Sequence, residues 1–403
     1  MVMDVTGPMR EKIVQEVKTN TDEIRSLLNH SESKVDDSEA LEKIENYVFR
    51  QEKSGCRKHS ENDYLVRRVF LSLRSEMDIL QPYVDDPDIT EIMVNGKDSI
   101  FIEKNGRIEK LPFSFDTSQD LEELIRRIAT KVHREINDRS PIADARLSDG
   151  SRVNAVLSGV ALNGPILTIR KFPKAPMTME DLIKNGTLHK DLAIMLTALV
   201  RARYNIFISG GTSSGKTTLL NVLSQHLPSH ERVVVIEDSA ELQINHVENI
   251  VRLECKNANA RGDGAIHMAD LVRNSLRMRP DRIIVGEVRG EEVMDMIQAM
   301  NTGHDGSMST GHANSVRGML KRLEAMFLQG TDIPVEAIRS QIAEGIDIIV
   351  HLSRLRGGRR HIMEIAELIP AKDGSIGLNH LYRYSSGFTG NRLVHREKLD
   401  IWK

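Results

Sequence analysis

The segment Gly210-Gly211-Thr212-Ser213-Ser214-Gly215-Lys216-Thr217, followed by Thr218, has a glycine, four intervening residues and then Gly-Lys-Thr. Backbone N–H groups of such a loop turn inward on a β-phosphate. The lysine amine reaches the β- and γ-phosphates and the threonine hydroxyl ligates Mg²⁺. The chemistry implied is binding of a nucleoside triphosphate with its metal. Two later groups of carboxylates could act on that ligand: Glu237 and Asp238 with Glu241 just beyond, and then Glu287. Hydrolysis needs one acidic group to hold the metal, directly or through water, and one to orient the attacking water. A third group lies in Thr302–Asn314, where glycines and hydroxyls surround His304 and His312, a composition suited to sensing a phosphate by hydrogen bonds. The two histidines lack a third and fourth ligand at metal spacing, so zinc is not expected there.

These residues need elements to hold them. Tyr204–Ser209 is a short β-prone apolar run and Thr217–Leu223 reads as a helix, so the glycine loop would deliver phosphates to the positive end of a helix. Arg232–Asp238 and Arg282–Glu287 read as buried strands that end in acids. In a parallel sheet the carboxyl ends of the strands line the ligand crevice, which brings both acidic sites towards the phosphates. From Asp181 onward helical and strand patterns alternate, predicting a mostly parallel sheet with helices on both faces over 181–403.

Upstream, Pro173-Lys174-Ala175-Pro176 breaks regular structure and opens a linker over 173–180. Residues 79–172 read as a smaller α+β domain. It has strands at Ile89–Gly96 and Ser99–Glu103, turns at Asn95-Gly96 and Asn105-Gly106, a helix from Gln119 to Asp138, and strands near Ser151–Val156 and Leu167–Arg170. Residues 1–78 are charged, with apolar positions at helical spacing (Leu65, Val69, Phe70, Leu73) and a polar stretch over Gln51–Asn62. They read as a solvated helical extension suited to docking a partner. Arginines are spread through both regions: Arg134, Arg139, Arg146 and Arg152 in the smaller domain, and Arg273, Arg277 and Arg279 before the Glu287 strand. For any one of them a surface ion pair is the plainer reading, although an arginine supplied across a subunit boundary can stabilise charge at a γ-phosphate. Arg170 and Lys171, just before the linker, are better placed for a nucleotide.

At 403 residues the chain is too long for one ordinary core. A net charge of −3 and 4% aromatics supply neither the basic surface nor the stacking platforms of a nucleic-acid binder. Cys56 and Cys255 are far apart, which excludes a disulfide framework and a four-cysteine zinc site and fits a reducing cytoplasm. No apolar run is long enough to span a bilayer, and the first residues lack the basic and apolar parts of a signal peptide.

In order, the phosphate loop, Ile236–Leu242, Arg279–Gly290 and Thr302–Asn314 resemble the phosphate loop, Asp box, Walker B and His box of the type II and type IV secretion ATPases. Within that superfamily Asp86–Gly96, Asp144–Ala155 and Ile169–Phe172 most resemble the CpaF-type ATPases of Tad/Flp pilus assembly, over roughly Leu80 to Ile369. Ser214, where the loop more often carries Gly, and Gly311, before His312, depart from the pattern. The resemblance implies a RecA-like P-loop domain behind a smaller α+β domain, and a cytoplasmic hexameric ring beneath inner-membrane platform proteins. It further implies ATP and Mg²⁺ bound between the domains, with closure around ATP driving pilin movement. Lys216 and Thr217 would hold phosphate and metal, Glu237 and Glu241 would stand near the metal, and Glu287 would polarise water. His304 and His312 would sense the γ-phosphate, and Arg146 or Arg152 would serve a neighbouring subunit's site. Two other readings stay open: a type IV secretion ring ATPase moving protein or DNA, and a nucleotide-gated assembly scaffold without useful turnover.

Overall fold

A computed structural model describes residues 36–50, 59–172, 176–256, 258, 263–371 and 374–401. The first expected helices, much of the 51–62 stretch and most of the Pro173–Pro176 linker lie outside these residues, as does Cys56. The chain divides into two compact units at Lys174 and Ala175.

Among the described residues the first unit opens with two helices, Asp37–Arg50 and His59–Arg74, joined through Ile44, Val48, Val66 and Val69. A six-stranded antiparallel sheet follows, made of β1 (Ile89–Asn95), β2 (Ile100–Lys104), β3 (Arg107–Lys110), β4 (Ile142–Arg146), β5 (Arg152–Val156) and β6 (Ile166–Arg170). Its order is β3-β2-β1-β6-β5-β4. The β2–β3 hairpin turns on Asn105 and Gly106, both at positive φ (52° and 75°), which is what the Asn-Gly pair predicts. One helix, Ser118–Lys131, covers a face of this sheet. Thr117 and Asp120 form a capping box at its start. Leu121, Leu124, Ile125 and Ile128 make its buried stripe. The helix stops seven residues short of the expected Asp138, because His133 turns to φ +54°. Strand β4 carries no clear strand signal in sequence, because its Ile-Ala-Asp-Ala-Arg has small residues where strand patterns show bulky ones.

The second unit is built on β7 (Ile206–Gly210), β8 (Val233–Glu237), β9 (Ile250–Glu254), β10 (Arg282–Val285), β11 (Met308–His312), β12 (Ile348–Arg354), β13 (Arg360–Pro370), β14 (Ile376–Arg383) and β15 (Gly387–Phe388). The sheet order is β15-β14-β13-β12-β7-β11-β10-β8-β9. The run from β12 to β9 is parallel throughout, and β7, β8 and β10 are buried along their whole lengths. Such continuous apolar burial is the mark of a sheet covered on both faces. Helices Met179–Lys184, Lys190–Arg201 and Lys216–Ser224 pack on one face. Met268–Ser275, Glu292–Asn301, Val316–Gly330 and Val335–Gly345 pack on the other. The alternation expected up to the C-terminus ends at β12, because β13, β14 and β15 return as an antiparallel meander. Glu367 in β13 is fully buried, and its carboxylate accepts the N–H groups of Val394 and His395, at 2.8 Å each for the closest oxygens. Among the described residues no helix is long and apolar enough to cross a membrane.

Candidate active site

Strand β7 ends at Gly210 and the glycine loop follows. A β-carbon at Gly210 would lie 2.4 Å from the Ser214 hydroxyl and 2.7 Å from the Leu352 carbonyl oxygen, so only glycine fits. The Ser214 departure is thereby accommodated: its buried hydroxyl occupies the space beside Gly210. Gly215, at φ +96°, caps helix Lys216–Ser224 and turns its first N–H groups to the loop. Ser213 also holds a positive φ, +57°. Gly211, Thr212 and Ser213 carry the loop outward, while Thr217 and Thr218 start the helix half-buried. The Lys216 amine donates to the Gly211 carbonyl (3.1 Å) and lies 3.3 Å from His312 Nδ1. Burial pushes the Lys216 pKa down, with Glu287 pulling the other way.

Four neighbouring strands set out the rest in sequence. The carboxyl ends of β7, β11, β10 and β8 carry Gly210, His312, Glu287 (two residues past β10) and Glu237. His312 Nε2 approaches Glu287 Oε1 to 2.7 Å without hydrogen-bond alignment, since that oxygen is buried and has no hydrogen-bond partner. Arg289 donates to Glu287 Oε2 at 2.9 Å and stands 3.6 Å from Asp238, tying two strand ends together. Burial and then the Lys216 charge lower the His312 pKa against Glu287, which favours a neutral ring beside the amine. Glu237 turns inward: its Oε1 accepts the N–H groups of Glu241 (2.7 Å) and Leu242 (3.0 Å), and burial raises its pKa despite those bonds. Glu241 lies on the turn so formed. Beside Glu287, a cavity of about 620 Å³ is lined by Asp238, Cys255, Lys256, Arg289 and Glu292. Burial, then Asp238, pushes the Cys255 thiol up to about 11.

His304 is a correction. It precedes β11, and the five-residue strand carries the chain about 16 Å to His312 at the opposite end. Its Nδ1 lies 3.2 Å from the Ala299 carbonyl, at the amino edge of the sheet and away from the loop. Lys171 is a second correction, because its amine donates to the carbonyls of Tyr83 (3.3 Å) and Asp86, an assignment inside the smaller unit. In that unit Arg146, Arg152 and Arg170 stand opposite one another on β4, β5 and β6, with Arg146 over the Phe172 ring at 6.0 Å. Like charges in cross-strand register disfavour each other unless neighbouring groups offset them. Sequence reasoning gave no role to Arg289, although it follows Glu287 by two residues. It also missed His351 and Arg360, whose types and spacing carry no signal. No group of three or more metal-ligating side chains occurs among the described residues.

Residues 74–379 match the family described as Type II/IV secretion system protein. The chain belongs to that family. This secretion ATPase is 35% identical over 300 residues to a Mycobacterium tuberculosis protein named for conjugal transfer, a match covering 73% of this chain and 85% of that one. It is 31% identical over 326 residues to the type IV secretion system protein VirB11 of Brucella suis, covering 73% and 90%. The ATPase DotB of Legionella pneumophila aligns with a TM-score of 0.52 at 23% identity over 74% of this chain and 81% of that one. The pilus retraction motor PilT with bound ADP aligns at 0.51 and 20% identity over 74% and 80%. The fold is therefore the RecA-like P-loop domain with a smaller α+β domain before it.

Proposed function

We propose that this secretion ATPase is a CpaF-type motor that hydrolyses Mg-ATP as a hexameric ring at the cytoplasmic face of the inner membrane. Its partners would be platform membrane proteins and its output Tad/Flp pilus assembly or secretion. The reading of the chemistry rests on one observation: Lys216, His312, Glu287 and Arg289 form a continuous chain of contacts at the carboxyl edge of the sheet. The loop N–H groups and the Lys216 amine hold the phosphates, and the amine, its pKa lowered by burial, sits beside the His312 imidazole rather than in a salt bridge. Glu287 polarises the attacking water while Arg289 fixes one of its oxygens. His312, touching both Lys216 and Glu287, is the group placed to report a γ-phosphate. Thr217 and Glu237 would hold Mg²⁺, which supplies charge neutralisation on the phosphates. Arg146 or Arg152 would serve a neighbouring subunit's site, as the resemblance implies.

Phosphate release from ATP by the purified protein tests this. Lys216→Ala and Glu287→Gln should lose turnover while keeping the fold, and wild-type rates in either would remove the assignment. The conjugal-transfer and VirB11 relatives favour a second reading, a type IV secretion ATPase that moves protein or DNA. Neighbouring genes separate the two: a small prepilin and two short platform proteins for the pilus, conjugation genes for the alternative. Sustained release with and without the membrane partner would also remove the scaffold reading.

A further inference from the structure

Behind the phosphate loop stands the hairpin of β12 and β13, to which the hydrolytic chemistry gives no part. β12 runs parallel to β7, setting His351 beside Ser209 and Leu352 beside Gly210. The contacts between hairpin and loop are polar as well as steric. His351 is buried, its Nδ1 lies 3.1 Å from the Ser209 hydroxyl, and its Nε2 lies 3.4 Å from the Ser353 hydroxyl. The Leu352 carbonyl oxygen closes the space over Gly210. Arg360, at the start of β13, donates its Nε to the Ser213 carbonyl at 3.0 Å, and its Cδ would lie 3.2 Å from a β-carbon on Gly215.

The residue that Arg360 holds is the one that needs holding. Ser213 adopts φ +57°, a left-handed conformation that side-chain-bearing residues keep only where their surroundings impose it. A loop already fixed in its binding shape loses less freedom when it closes on phosphates, so the gain appears as affinity. We propose that the β12–β13 hairpin sets the shape of the phosphate loop, with Arg360 acting through the Ser213 carbonyl and His351 through Ser209 as positioning residues for phosphate binding. The inference rests on the nucleotide reading of the loop. Neither side chain is placed at the reacting atoms, so their loss weakens binding and spares the chemical step. Burial also lowers the His351 pKa, and a neutral imidazole can accept from Ser209 while donating elsewhere.

The test uses the full chain, with Mg-ADP affinity measured by calorimetry and ATP turnover by phosphate release. Arg360→Ala and His351→Leu should each raise the ADP Kd and the ATP KM by about threefold to tenfold, the range of one net hydrogen bond, with kcat within about twofold. His351→Gln, whose amide both donates and accepts, should return to near the parent. Arg360 is exposed, so Arg360→Ala should melt with the parent and separate positioning from loss of fold. Parent-like ADP affinity in both Arg360→Ala and His351→Leu overturns the proposal. Impairment of His351→Gln equal to that of His351→Leu overturns the part assigned to His351. A parent that binds ADP but releases no phosphate removes the hydrolytic reading alone, because the affinity series still reads the hairpin. A parent that binds no ADP overturns both.

Discussion

At the amino edge of the parallel sheet, Arg282 is fully buried. It donates Nε to Glu231 Oε2 at 2.5 Å, one guanidinium nitrogen to Glu231 Oε1 at 3.2 Å and the other to the Val200 carbonyl at 2.7 Å. Arg203 shares Glu231 at 2.7 Å, and Lys398 bridges Asp305 and Asp347 at 2.7 Å each. The carboxyl edge of the same sheet is as rich in buried polar groups, yet its contacts are incomplete. Lys216 has a carbonyl and an imidazole for partners, and Glu287 Oε1 and the Ser214 hydroxyl are buried without a hydrogen bond. Buried charge with complete partners is structure, and buried charge with places left over is a site. The two edges differ in saturation, not in polarity.

That comparison breaks first at the loop. Lys216→Ala should abolish phosphate release, and Glu287→Gln should lower kcat by about a hundredfold to ten-thousandfold, both with unchanged melting, read by phosphate assay and calorimetry. At the amino edge the reverse is expected. Glu231→Gln strands the Arg282 charge and should cost about 3–5 kcal/mol of stability by denaturant titration, while turnover per folded molecule holds. A smaller contrast separates the histidines. His312→Ala should slow turnover by about tenfold or more and His304→Ala by less than about twofold, and equal losses would erase the difference between the edges. The smallest effect concerns Cys255. Its thiol gives up a proton only near about 11, against 9.0 in the open, so peptide-resolved alkylation at pH 8 should run about a hundredfold below a free thiol and rise as pH approaches that value. A midpoint near 9 would mean that the carboxyl edge is less buried and less anionic around the cavity than its neighbours Asp238 and Glu292 indicate.

Much of the fold class was legible, because the informative runs were local. Ile206–Gly210 and Val233–Glu237 are strands whose every residue is buried, and the loop between Gly210 and Lys216 carries its own chemistry. What failed was set by contacts between residues distant along the chain. His304 and His312 look like one cluster in sequence, but the glycines and hydroxyls between them hide a strand with a full strand length between its ends. The β13–β15 meander looks in sequence like more helix–strand alternation, because its pairing depends on partners and not on period. Lys171 looked poised for a ligand, and only the structure shows its amine closing the carbonyls of Tyr83 and Asp86. Arg360 and His351 could not have been chosen at all, since they meet the loop across 147 and 142 residues of chain.

The carboxylate of Glu367 imposes an order in time. Arg360 donates to the phosphate loop and precedes Glu367, and the fully buried Glu367 carboxylate takes its partners from later still, the Asn379 amide and then the N–H groups of Val394 and His395. A chain that ended near residue 390 would hold the residues of the phosphate loop and its hairpin, with Asn379 on Glu367 but without the two backbone N–H groups that complete its hydrogen bonds.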